Sequence, residues 1–523
     1  MTDSQESERI KGSFSIVLTK RMIFFFLWFI FASIPLFAQL TDTLSVVKQL
    51  NEKGKYKKAE TLLTSYYKHH PGNLNAQWIY AQTTYFARHF KKSIAAYEDA
   101  IAWHPENYTL RLDYAKKLTD IGEFDKAVLV FNLYLTYDSD ASDAHEGLAR
   151  IAYWETNYKT AMDEVNKVLK TQPNNPSMSD LRNEILMAKS PWLKIDLGGY
   201  QDDQPMQRIS PSIETGFMLD PLANLYVGLN APVFLLNKKT YIAPWIFVGD
   251  KMIFARSGLE LNINAGIIEF PTSKFSGIGD LELHKSFVKH LVLSIQAEHQ
   301  PYLNTRSNMD NPIMQLHYSF ASAWNDPKSW QGRASFDVNN FYTDGNLIYT
   351  ANAWVMSPPL VLSVFDFRVG YGYNYSTAKE SRFVSTKSVS EIVSDWDTDT
   401  KIPGLYNPYF TPNQQSVHSA ILAIVIHPAK SFSLGAKGNL GFYSKTNNPY
   451  LYLDKDAEEN IVIERGFSRM FFHPLETDAF INARLSSTTN LKLEYVFMRT
   501  NFYTSNYLGL SLNISFCNEK KAV

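Results

Sequence analysis

The sequence predicts an α + β membrane protein, with an N-terminal α-solenoid of about four helical repeat units and then an antiparallel transmembrane β-barrel of about 16 strands. Three observations carry this reading. A spacing of 34 residues recurs through roughly residues 41–175. From Trp192 the apolar period becomes two and holds almost to the C-terminus. The alternating segments are joined by short turns and by connections that are often much longer, as in a barrel threaded through an outer membrane. The expected divisions are 1–38 (a signal peptide with its lead), 39–190 (the repeats), 191–516 (the barrel) and 517–523 (a tail), within the two or three domains that 523 residues allow.

Composition removes several function classes. The formal net charge is −1, so no charge imbalance points to nucleic acid as a partner. Aromatic residues make up 14% of the chain, with 30 Tyr and 34 Phe, which is rich for a soluble protein and suits the aromatic girdles of a barrel. The single cysteine, Cys517, can form neither an internal disulfide nor a thiolate zinc site.

The first element is for targeting. Lys20 and Arg21 precede an uncharged, Phe-, Leu- and Ile-rich run at 23–40, with Pro35 and then Ala38 where cleavage would leave Gln39 first. This order is that of a secretory signal. A permanent anchor is the alternative, since the run is just long enough to span, but Pro35 and Ala38 favour cleavage. Met22 is an alternative start, although it would remove Lys20 and Arg21.

The repeat follows by subtraction. Tyr56, Phe90, Phe124 and Tyr158 are spaced by 34, as are Ala59, Ser93, Ala127 and Ala161, and Pro71, Pro105, Ser139 and Pro173. Ala81, Ala115 and Ala149 keep the same step. Small side chains let paired helices approach, and proline closes each unit. This pattern resembles the tetratricopeptide repeat. Such units stack into a solenoid with a concave groove, where the register places Gln82, Tyr85, Lys116, Arg150 and Tyr153. These five are either ligand contacts or a solvated face. Leu181, Ile185 and Leu186 mark a last capping helix before Ser190 and Pro191.

In the barrel, Leu259, Leu261, Ile263, Ala265 and Ile267 alternate with Glu260, Asn262, Asn264 and Gly266, and 491–495 and 508–516 alternate in the same way. The spacing predicts sixteen strands, the first at about 192–200 and the last at about 505–516. Short turns are expected near Pro221, Ser257, Lys289, Pro327, Pro359, Ala429 and Thr488, and long connections at 301–311, 376–414 and 444–471. An even count returns both ends of the barrel to one side of the membrane. A soluble β-sandwich would need a second, dry face that the alternation does not supply.

The polar parity predicts a lumen-facing set of Glu298, Arg333, Asp337, Asp366, Arg368, Arg484, Lys492 and Glu494. Carrying both signs, it is either a salt-bridged wall or a hydrophilic track for a neutral, hydroxyl-rich polymer. Enzyme motifs are poor. His145 and Glu146 lack the second histidine of a zinc-protease helix, and no nucleophile elbow, phosphate loop or dinucleotide fingerprint occurs. Asp395, Asp397 and Asp399 alternate like a calcium loop, but Thr400 and Tyr406 stand where Gly and Glu are required. The acidic stretch 454–459 falls in an expected external loop. No enzyme activity, cofactor or metal is expected.

Signal, repeats and a barrel of about sixteen strands together resemble the outer-membrane secretion porins that export cellulose and poly-N-acetylglucosamine. The local resemblance lies in Tyr409, Phe410, Thr411, Pro412, Asn413 and Gln414, the strand at 419–426, and the hairpin through Leu434, Gly435, Ala436, Lys437 and Gly438 to Gly441, Phe442 and Tyr443. It covers about forty residues. It implies an outer-membrane channel exporting an exopolysaccharide, with periplasmic repeats docking the polymer or periplasmic and inner-membrane glycan-synthesis proteins. Lipid would surround the barrel. One departure stands: the family's large members carry many more repeats, so four reach only a fraction of the distance to an inner-membrane synthase. The alternative reading is an adaptor whose plugged barrel anchors the repeats.

Overall fold

The computed structural model describes residues 43–204, 206–236, 238–288, 290–394 and 401–517. The signal segment with its cleavage site, the aspartates at 395–399 and the last six residues lie outside them. The chain divides into two compact units, one helical (43–152 with 159–179) and one dominated by strands (153–158 with 180–517).

Helices pair along the repeat: α1 (Thr43–Glu52), α2 (Tyr56–His69), α3 (Leu74–Phe86), α4 (Phe90–Trp103), α5 (Tyr108–Ile121), α6 (Phe124–Leu135), α7 (Ser142–Trp154), α8 (Tyr158–Thr171) and α9 (Pro176–Lys189). The small residues of the 34-step register are the crossing points. Ala59, Ser93, Ala127, Ala161, Ala81, Ala115 and Ala149 are all fully buried. The Ser93 hydroxyl donates to the Ala81 carbonyl at 2.7 Å, tying α4 to α3. A second series was not read from the sequence. Asn73, Asn107 and Asn175 each accept the backbone N–H three residues on, capping α3, α5 and α9. At Gly147 an added Cβ would lie 2.2 Å from the Phe131 ring, so glycine there lets α7 seat that ring.

The strands form one closed ring of sixteen staves: β1 (Trp192–Asp202), β2 (Met206–Asp220), β3 (Ala223–Asn230), β4 (Trp245–Phe254), β5 (Leu259–Glu269), β6 (Phe275–Val288), β7 (Leu291–Tyr302), β8 (Ile313–Asn325), β9 (Gln331–Phe341), β10 (Asn346–Met356), β11 (Phe365–Ala378), β12 (Gln415–Ala429), β13 (Phe432–Lys455), β14 (Leu475–Arg484), β15 (Thr489–Arg499) and β16 (Thr504–Ser515). Each pairs antiparallel with its neighbours in sequence. β16 returns to β1, from Trp192 opposite Ser515 to Asp202 opposite Ser505. The count and both ends agree with the alternation.

Parity is uniform around the ring. Ile195, Leu197, Ile213, Val227, Val248, Ile263, Ile295, Phe336, Leu422, Leu493 and Leu510 are exposed on the outer face, where lipid would cover them. Their sequence neighbours point inward. The expected turns join staves at the rim where β1 begins, hereafter the turn rim. The opposite, loop rim carries 231–236, 238–244, 303–312, 379–394 and 401–414.

One expected loop is a strand. The connection at 444–471 is a continuation of β13, whose residues 445–455 pair with Ile461–Phe471 as a hairpin beyond the ring. The acidic stretch forms its turn, where Asp456 accepts the backbone N–H groups of Glu458 and Asn460. A smaller hairpin, Val233–Leu236 with Lys239–Ile242, pairs with the start of β2. It helps bury Met206, Phe234, Phe270, Leu303, Met309 and Met314 as an apolar cluster at the loop rim.

Candidate functional site

All eight residues expected in the lumen share the inward parity. Asp337 lies opposite Ser319 and Thr350, Glu298 opposite Asp280 and His317, and Lys492 opposite Asn482 and Ser511. The staves bring them to one interior surface but give them different work. Lys492 pairs with Glu494 at 3.0 Å. Asp337 accepts from Ser335 at 3.1 Å and Asn352 at 3.2 Å. Asp366 faces His427 at 3.4 Å. Arg368 spends its guanidinium on the carbonyls of Pro327, Ser329 and Ser357, binding two turn-rim connections together. The backbone N–H of Arg484 donates to the Ser431 carbonyl at the same rim. Arg333 sits between Ala323 and Trp354.

Charges missed by the sequence reading complete the wall. Lys194 bridges Asp196 at 2.8 Å and Glu214 at 3.7 Å, and Lys251 meets Glu260 at 3.1 Å. Thr350 bonds Ser376 at 2.9 Å, and Asn374 donates to Asn352. Ion pairs, hydroxyls and side-chain amides give a hydrophilic interior that carries both signs. A cavity of about 940 Å³ opens within it, reaching from Lys194 and Ser511 up to Tyr302 and Asn304.

Above that cavity the segment 401–414 crosses the loop rim. The Pro408 carbonyl accepts from Thr305 at 2.8 Å and Asn308 at 3.1 Å, in the connection between β7 and β8. Two residues to either side, Tyr406 and Phe410 pack on Phe502, between β15 and β16, at 5.3 and 4.6 Å. Those connections are eight staves apart in a ring of sixteen, so they lie on opposite sides of the opening, and 406–410 is a strap between them. Tyr409 anchors it. Fully buried, it stacks on Phe341 at 3.6 Å and donates to Asp344 at 2.6 Å. Arg382 bonds the same carboxylate at 2.8 Å, and its backbone N–H donates to Thr411. Burial would raise the Asp344 carboxyl, but the hydrogen bonds from Tyr409 and Arg382 outweigh it and hold it below its ordinary value. Burial first, then the bond to Asp344, push the Tyr409 phenol upward. Tyr409, Phe410 and Thr411 are among the residues quoted for the family resemblance; the sequence marked that segment but not its span.

The five groove candidates lie on the helices α3, α5 and α7, and each engages the next repeat. Gln82 donates to Asp113 at 2.9 Å and Tyr85 to Asp120 at 3.0 Å. Lys116 pairs with Asp143 at 2.7 Å, and Arg150 holds Glu146 and Ser177. Tyr153 packs beside Tyr158 at 5.8 Å and bonds Glu184. Burial and the bond to Asp120 push the Tyr85 phenol up to about 12. Asp113, not foreseen, is a hub: Trp78, Gln82 and Tyr97 all donate to its Oδ2. His145 is tied inside the fold by Glu164 at 2.6 Å and the Ser139 carbonyl at 2.9 Å.

No protein-family model matches the chain, and no curated protein matches it. Among solved structures it is similar to a bacterial polysaccharide outer membrane secretin, at 9% identity over 63% of this chain and 99% of that one, with a TM-score of 0.46. It is also similar to MamA from Desulfovibrio magneticus RS-1, at 9% identity over 28% and 85% of the two chains (TM-score 0.26). A tetratricopeptide repeat protein from Parabacteroides merdae ATCC 43184 follows at 16% identity over 34% and 71% (TM-score 0.27). The ring of pairings and the repeat register define the class: a sixteen-stave barrel joined to a tetratricopeptide solenoid. A closed ring with an apolar exterior fits an outer membrane, because it leaves no backbone edge unpaired in lipid.

Proposed function

We propose that the chain is an outer-membrane channel for export of an exopolysaccharide, a passive conduit rather than an enzyme. The observation that carries this is the inner wall, where charges of both signs stand among hydroxyls and amides. Such a wall offers donors and acceptors everywhere without one strong field. A neutral glycan sliding along it exchanges hydrogen bonds of similar strength, so it can move from one position to the next. The strap is the element that opens for passage. We assign the solenoid to the periplasm, with its groove facing polymer or a glycan-synthesis partner.

The strap also favours a second reading, an adaptor with a permanently closed barrel that anchors the repeats. Deleting the gene separates them. Export requires polymer to accumulate in the periplasm while synthesis continues. A deletion strain that secretes every surface glycan normally would leave the adaptor reading in its place.

A further inference from the structure

The inner wall carries a second cavity, of about 390 Å³, in the turn-rim half of the barrel. Three aromatic side chains line it: Trp192 at the start of β1, Tyr226 on β3 and Phe247 on β4. Inward aromatics would ordinarily project toward the axis. These lie sideways across the wall because the neighbouring stave has glycine beneath each. A Cβ at Gly216 would meet Trp192 at 2.8 Å, one at Gly249 would meet Tyr226 at 2.3 Å, and one at Gly228 would meet Phe247 at 2.2 Å. The Tyr226 hydroxyl donates to Asn262 at 2.8 Å, and the ring sets its edge against Phe247 at 6.2 Å. The aromatic surface is thus fixed before any ligand arrives. The amides of Asn224 and Asn264 and the carboxylates of Glu214, Glu260 and Glu282 line the same cavity, with Lys251 and His284. Phe247 and Asn264 also border the larger cavity, so the two spaces adjoin.

Resting on the export reading, we infer that this cavity is a sugar-binding subsite at the entry end of the barrel, taking equatorially substituted hexopyranoses. Such a ring has an apolar C–H face and a rim of hydroxyls. Trp192, Tyr226 and Phe247 meet the face, and the amides and carboxylates meet the rim. Each bound residue is passed to the larger cavity past Phe247.

The test is calorimetric titration of the purified full chain in detergent micelles with cellohexaose and with chitohexaose. At least one should bind. Tyr226→Leu and Phe247→Leu keep an apolar group over the wall but remove the ring, and each should weaken binding at least tenfold. Gly249→Ala, which displaces the Tyr226 ring without altering any aromatic residue, should do the same. Heat-dependent gel mobility confirms that each variant barrel is closed. Binding of neither sugar, or unchanged affinity in the variants, overturns the subsite. Unchanged affinity beside a deletion strain that traps polymer refutes the subsite and leaves export standing. Lost affinity beside a deletion strain with normal secretion does the reverse.

Discussion

Tyr409 donates its phenolic hydrogen to Asp344 across 65 positions of sequence, with Oδ2 at 2.6 Å and Oδ1 at 2.9 Å. One residue belongs to the strap and the other to the short connection between β9 and β10, so the bond fastens the strap to the ring.

Tyr409→Phe keeps the stack on Phe341 and removes only that bond. A hydrogen bond to a charged group contributes roughly 1.5–3 kcal/mol, so strap release should become about ten- to a hundredfold more frequent. Single-channel recording in planar bilayers measures it. Identical opening frequencies in the variant and the parent would show that the strap does not close the channel.

Acid should act on the same latch. Asp344 is held below its ordinary value, so its ionised form contributes to the closed state above the ordinary aspartate range. That contribution is lost as the pH falls through the lowered value. Opening should therefore increase only in strong acid, and Asp344→Asn should open at neutral pH and flatten the response. A parent channel that opens equally at all pH values contradicts this.

In the solenoid, magnitudes separate two carboxylates. Asp113→Ala strands donors from Trp78, Gln82 and the buried Tyr97, at a cost of about 3 kcal/mol. Lys116→Ala breaks an exposed pair with Asp143 and costs under about 1 kcal/mol. Urea unfolding of residues 39–190, followed by circular dichroism, compares them directly. Equal midpoints would mean that Asp113 is no hub.

Bulk in the lumen should obstruct passage according to position. Asp337→Trp, at mid-stave beside Asn352 and His317, should reduce secretion several-fold with the amount of barrel unchanged. Asp366→Trp, near the start of β11 by His427, should reduce it less. Wild-type secretion from both variants would remove the polymer from this lumen.

The sequence revealed what local patterning encodes. Sixteen staves were countable because most turns announce themselves with Pro, Gly or Ser and each face keeps its parity. The hidden parts depend on partners far apart. Tyr409 is buried by Phe341 and Asp344, which no period connects to it. Arg368 has the parity of a lumen charge, yet it serves Pro327, Ser329 and Ser357. Trp192 and Tyr226 read as ordinary strand aromatics until register sets Gly216 and Gly249 under them. The hairpin at 445–471 was concealed because Asn447, Asn448 and Pro449 interrupt the polar–apolar pattern of a continuous strand.

The pairing of β1 with β16 has a consequence for assembly. The first stave emerges more than three hundred residues before its partner, and the ring has no smaller closed form that uses the same registers. Until Ser515 meets Trp192 the sheet carries two bare edges, which lipid cannot satisfy and which invite pairing with other chains. Insertion must therefore be late and cooperative, with the nascent sheet guarded until its C-terminal strand is made. A nonsense mutation that removes β16 alone would abolish insertion as completely as the loss of the whole barrel.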